Sequence, residues 1–472
     1  MFWDSLHGSC VDPDGVAMMD GTEKMSFNAV GELADTICAH VPSRSLVFLV
    51  ATNTIPSVVG YLGFLAHGIV PLMLRPETSI EQFRELVAAY NPSFLWMPKP
   101  YADNILEAHE PAINLFESRG YALVSTGCGQ VPIHPDLAML ITTSGSTGTP
   151  KYVRLSYQNV ASNAESIANY QGITSSDRAI TSLPLSYTYG ISIINSHILR
   201  GASLVLTDET IMSRTFWNLL KRYGATNFGG VPYTYQMLER LRFSRMDLPT
   251  LRFISQAGGR LGERLQKVFG EACAEKGIDF YVMYGQTEAT ARMSWLPPQN
   301  VLKKLGSIGI AIPGGRFELR DVSDALIEVP GVDGELIYVG PNVSMGYAES
   351  AADLMLGDER GGILHTGDVA RRDEDGYYYV VGRIKRFLKM FGNRVNLDEL
   401  EAIFAQRGQT IACVGSDDHM VVYATEGDAN ELRLSIASFT KLHPSAFDVR
   451  IVDELPRMAS GKMDYAALER LC

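Results

Sequence analysis

Four short runs of this 472-residue chain gather side chains suited to handling phosphate and sugar hydroxyls. In "LITTSGSTGTPK" (Leu140 to Lys151) an apolar run gives way to Thr143, Ser144, Gly145, Ser146, Thr147 and Gly148, and Lys151 closes the loop. The two glycines allow positive φ, so consecutive N–H groups can form a nest for an anion, with hydroxyl donors around it and Lys151 as a full positive charge. It is not a Walker loop, which needs Ser or Thr after the lysine; this chain has Tyr152. "MYGQTEAT" (Met283 to Thr290) sets Thr287 beside Glu288, a carboxylate able to hold Mg²⁺ next to phosphate oxygens. "LHTGDVARRDEDGYYYVVGR" puts Asp368 after a glycine, placed to accept ribose hydroxyls, and "LPRMASGKMDY" carries Lys462 on a glycine turn. Taken singly, each has a plainer reading: a Ser/Thr/Gly surface turn, an aspartate capping a turn, a solvated lysine.

These groups lie far apart along the chain, so the elements between them decide whether they meet. The first two-thirds alternates apolar runs with helix-like segments. "SLVFLVA" (from Ser45), "SFLWM" (from Ser93), "LAMLITT" (from Leu137), "ASLVLT" (from Ala202) and "LRFISQAG" (from Leu251) read as buried strands. "SIEQFRELVAAY" (from Ser79) and "TFWNLLKRYG" (from Thr215) have helical spacing, and such alternation predicts an α/β fold with parallel sheets covered by helices. After about Leu305, "RFELRDV", "GELIYVG" and "GYYYVVGR" are strands joined by turns, which predicts an antiparallel or barrel-like β module. The tail reads as a small α+β unit: helix Leu397 to Ala405, strand pair Ile411 to Ala424, helix Ala429 to Leu442, strand Asp448 to Val452.

The length calls for two or more domains, and 46% apolar with 20% charged residues is ordinary for a globular protein. A net charge of −12 argues against nucleic acid or an anionic membrane as partner. The six cysteines are scattered, without CxxC pairs, as expected in a reducing cytosol. The start lacks a basic segment followed by an apolar core, so no signal peptide and a cytoplasmic location are expected. "SVVGYLGFLAHGIVPLML" (Ser57 to Leu74), with His67, three glycines and Pro71, reads as a buried helix running into a strand rather than a membrane span.

Taken in order, "TTSGSTGTPK", "YGQTE", "GELIYVGPNVSMGY", "TGD…DGYYYVVGR", "FGNRVNLDELE" and "PRMASGK" closely resemble the successive motifs of the adenylate-forming enzyme superfamily. That group holds acyl- and aryl-CoA ligases, firefly luciferase and peptide-synthetase adenylation domains. The resemblance implies a mobile small C-terminal domain (384–472) beyond a large ATP- and acid-binding domain (1–383), with a hinge at about 383–386 and Lys385 at its pivot. It also implies two steps. A carboxylate attacks the α-phosphorus of MgATP to give an acyl-adenylate and pyrophosphate; a thiol then displaces AMP to give a thioester.

By the same resemblance, Thr143 to Lys151 hold the β- and γ-phosphates, Thr287 meets the α-phosphate and Glu288 the Mg²⁺. Ala257, Gly258 and Tyr284 border the adenine, Asp368 and Arg383 the ribose, and Lys462 bridges the attacking carboxylate and the nucleotide. After domain rotation Gly392 lines a thiol tunnel. Where many relatives read "PLFH" this chain reads "PLSY", so Tyr187 replaces a histidine and Tyr189 and Gly230 join it in shaping the acid pocket. Peptide-synthetase domains carry an aspartate nearby for an amino group; Thr188 stands there here, which disfavours an amino acid and favours a neutral-tailed acid. The acceptor is either CoA or the phosphopantetheine of a separate acyl carrier protein. An adenylation enzyme passing its acyl group to a carrier or an amine, and a non-catalytic nucleotide or acyl sensor, are the competing readings.

Overall fold

A computed structural model describes residues 12–108, 112–142, 151–384, 386–391, 393–416, 418–458 and 463–471. Two large sheets organise the first three-quarters of the chain. In one, six adjacent parallel strands run in the order Asp279–Tyr284, Phe253–Gln256, Asn227–Gly230, Arg178–Ile180, Ser203–Val205 and Val16–Met19. In the other, the parallel centre is Leu137–Thr142, Val70–Leu74, Leu46–Val50 and Phe94–Pro98.

Both faces of this second sheet are covered, which is why its strands read as unbroken apolar runs. Leu46, Phe48 and Val50 pack into an outer core while Val47 and Leu49, pointing the other way, join the core shared with the first sheet. Helices Phe27–Cys38, Ile55–Ala66, Tyr157–Tyr170 and Thr188–Leu199 contribute to that shared core. Their starts are capped as the sequence chemistry dictates: Ser156 accepts from the Asn159 amide at 3.0 Å, and the Asn159 side chain accepts from the Ser156 amide at 2.8 Å.

The expected α/β architecture is therefore present, and the strands and helices named from the sequence are all found. The edges differ from the expectation of purely parallel sheets. Tyr152–Ser156 and Gly346–Ala348 add antiparallel to one side of the second sheet, Tyr121–Ser125 and Ile113–Ser118 to the other. Ile113–Ser118 and Tyr121–Ser125 are joined by Arg119 and Gly120 alone, a connection too short for a crossover helix, so this pair runs antiparallel.

The expected β module is a four-stranded antiparallel sheet, Arg316–Arg320, Gly334–Val339, Ile363–Arg372 and Tyr378–Arg383. Beyond it a separate core forms from Leu388, Met390, Leu400, Phe404, Ile411, Val422, Ile436 and their neighbours. It lies between helices Leu397–Gln406 and Ala429–Thr440 and the sheet Ile411–Ser416, His419–Ala424, Phe447–Ile451. The hairpin Phe387–Met390 with Asn393–Asn396 and the helix Tyr465–Arg470 were not anticipated. Among the described residues Cys38, Cys128, Cys273 and Cys413 are free thiols; Cys10 and Cys472 lie outside them. No described helix is long and apolar enough to cross a membrane.

Candidate functional site

Ligands of α/β sheets gather beyond the carboxyl ends of parallel strands. Gly230 ends one strand, Ala257 and Gly258 follow the next, and Tyr284 ends the third, so three neighbouring strands deliver site residues to one rim. Gly258 sits at φ +83, and a Cβ there would stand 2.5 Å from the Tyr187 hydroxyl, so only glycine leaves this surface open. Gly229, one residue before the strand end, would with a Cβ meet Ile193 at 2.8 Å and the Tyr189 hydroxyl at 2.9 Å.

Beside that rim, Asp368 collects donors from two segments, 284–286 and Arg383. It is 2% exposed and stands opposite Arg383 in the antiparallel pair, whose Nε donates to Oδ1 at 3.0 Å. The Tyr284 hydroxyl donates to Oδ2, as does Gln286 Nε2 at 3.1 Å, and Gln286 also reaches the Thr366 carbonyl at 2.9 Å. A carboxylate offers about four acceptor positions, so three donors leave room for one more. Burial, with the Asp368 charge beside it, pushes the Tyr284 phenol well above its ordinary value, and it remains a donor. Asp368, Arg383 and Tyr284, expected around a nucleoside, are thus bonded to one another.

Thr287 and Glu288 follow on a single turn, Thr287–Ala289. The Thr287 hydroxyl lies 3.3 Å from that of Thr188, the first residue of helix Thr188–Leu199. Glu288 is half-buried and its Oε1 accepts from the Tyr347 hydroxyl at 2.7 Å; burial and then the Glu288 charge push that phenol up to about 12. Tyr347 lies on strand Gly346–Ala348, which pairs with Tyr152–Ser156. The same strand leads to Glu349, whose Oε1 is 2.6 Å from Lys151 Nζ. Lys151 and Glu288 are therefore brought to one three-residue strand.

Mg²⁺ keeps several waters and takes one or two carboxylates beside phosphate oxygens. A single oriented carboxylate, Glu288, with one oxygen held by Tyr347, fits that habit, and among the described residues no three acidic, histidine or cysteine side chains form a cage of their own.

The side of the rim expected to take the acid is aromatic. Tyr187 and Tyr189 meet edge to face at 6.2 Å between centroids, and Tyr189 donates to the Ser255 carbonyl at 2.8 Å. Burial pushes the Tyr187 phenol up to about 12. Expectations placed on Thr143, Ser144, Gly145, Ser146, Thr147, Gly148, Lys385, Gly392 and Lys462 fall outside the described residues. Sequence reasoning missed Gln286, Tyr347 and Arg292. Gln286 and Tyr347 stood inside quoted motifs, but only the fold reveals that they touch Asp368 and Glu288.

Comparison with known proteins identifies the family. The family model described as "AMP-binding enzyme" matches residues 10–348. The oxalate–CoA ligase of Arabidopsis thaliana is 31% identical over 353 residues, 70% of this chain and 66% of that protein. A probable CoA ligase of Humulus lupulus, CCL9, is 28% identical over 90% of this chain and 86% of its own. In structure, ATP-bound MatB from Rhodopseudomonas palustris superposes with a TM-score of 0.80 at 21% identity, covering 100% of this chain and 98% of that one. The o-succinylbenzoate CoA synthetase of Bacillus subtilis, in complex with its acyl-adenylate, does so at 0.78 and 22%, covering 99% and 97%.

Proposed function

The chain belongs to the AMP-binding enzyme family, and on that premise we propose that it is an ATP-dependent carboxylate–CoA ligase. It converts a small carboxylic acid and MgATP to an acyl-adenylate and pyrophosphate, and passes the acyl group to the thiol of CoA with release of AMP. The observation that carries this reading is the bonded group Tyr284–Gln286–Asp368–Arg383 at the strand ends, adjoining Thr287 and Glu288.

Each residue has a task set by its surroundings. Asp368, with one acceptor position spare, takes a ribose hydroxyl while Arg383 and Tyr284 keep it from turning. Gly258 gives the flat base and the acid an unobstructed wall, with Tyr187 behind it. Thr287, steadied by Thr188, offers its hydroxyl to the α-phosphate, where negative charge builds as the acid attacks. Glu288 and Tyr347 would hold Mg²⁺, which when bound draws electron density from the phosphate oxygens. Thr143 to Gly148 and Lys151 receive the departing pyrophosphate. Lys462 neutralises the attacking carboxylate in the first step. Rotation of the small domain (384–472) about Lys385 then replaces it with the face around Gly392, which admits the thiol.

Two anions must approach each other in the first step, so removing a cation placed between them is costly. Lys462→Ala is expected to slow pyrophosphate formation by about 10²–10³, the usual cost of one such donor, while leaving thioester formation from a supplied acyl-adenylate near the parent rate. Equal loss of both half-reactions would refute the assignment. Pyrophosphate release without consumption of CoA would point to a carrier protein as acceptor, and none with any acid would remove the ligase reading altogether.

A further inference from the structure

Among the described residues two arginines are fully buried, and they are provided for very differently. Arg154 pairs with Glu359 and donates to the carbonyls of Tyr347 at 2.9 Å, Met345 at 3.2 Å and Gly357 at 3.2 Å. Arg292 has no carboxylate among the described residues. Its Nη1 lies 2.8 Å from the Met283 thioether, Nη2 donates to the Ser192 hydroxyl at 3.1 Å, and Nε has no partner. The guanidinium carbon stands 3.9 Å from the centre of the Tyr189 ring. A thioether, a hydroxyl and a ring face are weak company for a desolvated cation, because buried charges are ordinarily paired.

Its position says what is missing. Ser192 lies one helical turn, about 5.4 Å, beyond Thr188, the residue that touches Thr287. Thr188, Ser192, Asn163, Asn195 and Thr290 line the same small internal cavity. Tyr189, under the guanidinium, is also the residue a Cβ at Gly229 would strike. Ser192, which accepts from the guanidinium, thus joins the cation to a cavity whose wall also includes Thr188, the partner of Thr287. The chain reaches it through Thr290 and Ala291 at φ +54 and +91, a left-handed pair in non-glycine residues that turns Arg292 inward.

Resting on the ligase reading above, we infer that the activated acid carries a second anionic group, and that Arg292 receives it. The substrate class is a short dicarboxylic acid, or an acid of similar length with another anionic end. The neutral tail expected from Thr188 alone is thereby replaced: Thr188 lacks the charge to hold an ammonium, and Arg292 supplies the charge to hold a carboxylate.

The test is pyrophosphate release by the full-length enzyme with straight-chain dicarboxylic acids, their monomethyl esters and monocarboxylic acids of matched length. The best diacid should exceed its monoester in kcat/KM by about 100-fold or more, chiefly through KM. Arg292→Gln should collapse that ratio to within a few-fold, and Arg292→Lys should leave an intermediate one. A parent enzyme that prefers the monoester or monoacid overturns the inference without any variant, so a misfolded Arg292→Gln protein does not shield it. Arg292→Gln lowering both substrates by the same factor also overturns it and marks a structural cation. No pyrophosphate with any acid removes the ligase reading instead.

Discussion

Gly258 and Tyr187 give the sharpest test of the pocket geometry. An alanine at 258 would meet two separate costs. The first is the backbone at φ +83, worth about 1–2 kcal/mol for a residue with a Cβ. The second is overlap: the new methyl would lie 2.5 Å from the Tyr187 hydroxyl, 3.1 Å from Val231 Cγ1 and 3.6 Å from Tyr187 Cζ. Forcing such a contact costs about 1–3 kcal/mol. Only the hydroxyl lies closer than a Cβ can approach; Val231 must give by a few tenths of an ångström, and 3.6 Å to the ring carbon is ordinary contact. Tyr187→Phe should therefore relieve most of the second cost and none of the first.

The four proteins of the cycle (parent, Gly258→Ala, Tyr187→Phe and the double variant) are compared by thermal midpoint and by KM for the acid. Gly258→Ala should lose roughly 2–5 kcal/mol, the sum of the two terms. The double variant should recover about 1–3 kcal/mol of that, a few degrees in the midpoint of a unit this size, with KM moving the same way. Whatever Tyr187→Phe costs alone cancels in the cycle. Effects that add within about 0.5 kcal/mol would mean the methyl and the hydroxyl never meet, and the reasoning fails.

His197 is wholly buried, its Nδ1–H on the Ile193 carbonyl at 2.8 Å and its Nε2 accepting from Asn227 at 3.0 Å; burial pulls it from 6.5 to about 4. Between those values the unfolded chain binds a proton that the folded one refuses. Its contribution is thus complete above 6.5 and falls by about 1.4 kcal/mol per pH unit toward 4, a slope that His197→Phe should flatten in pH-dependent melting. Tyr347→Phe frees Glu288 and should raise the Mg²⁺ concentration for half-maximal activity about 10-fold, measured by titration; an unchanged requirement would separate the pair from the metal. Arg386 binds Asp398 at 3.0 Å and Glu401 at 2.6 Å against the Tyr465 ring, and burial already raises both carboxyls. Arg386→Gln should cost the small domain about 3–5 kcal/mol, read as faster proteolysis, with relief as the medium is acidified and the carboxyls take up protons.

The fold was legible where burial leaves a mark in composition. Leu46 to Val50 and Leu137 to Ile141 are apolar on both faces. Strand direction was not legible, since apolar periodicity is the same for either orientation, and so the antiparallel edges at Tyr121–Ser125 and Tyr152–Ser156 went unforeseen. In the site, Asp368 and Arg383 followed from the order of motifs, yet the contact of Asp368 with Gln286 depends on a register 82 residues away. Arg292 was invisible for a different reason. An arginine in "EATARMS" reads as a surface charge until two sheets close over it.

Strand Gly346–Ala348 offers Tyr347 to Glu288 from between two residues without a hydrogen-bonding side chain. Side chains alternate along a strand, so a slip of one position would turn Gly346 or Ala348 toward the carboxylate and strip it of its donor. Arg154 prevents that slip by gripping the Met345 and Tyr347 carbonyls from the neighbouring strand. If Glu288 holds Mg²⁺ as proposed, alignment of three residues at a sheet margin governs it, and damage at Arg154, whose hydrogen bonds go to neither Glu288 nor Thr287, would surface as a failure to manage divalent metal.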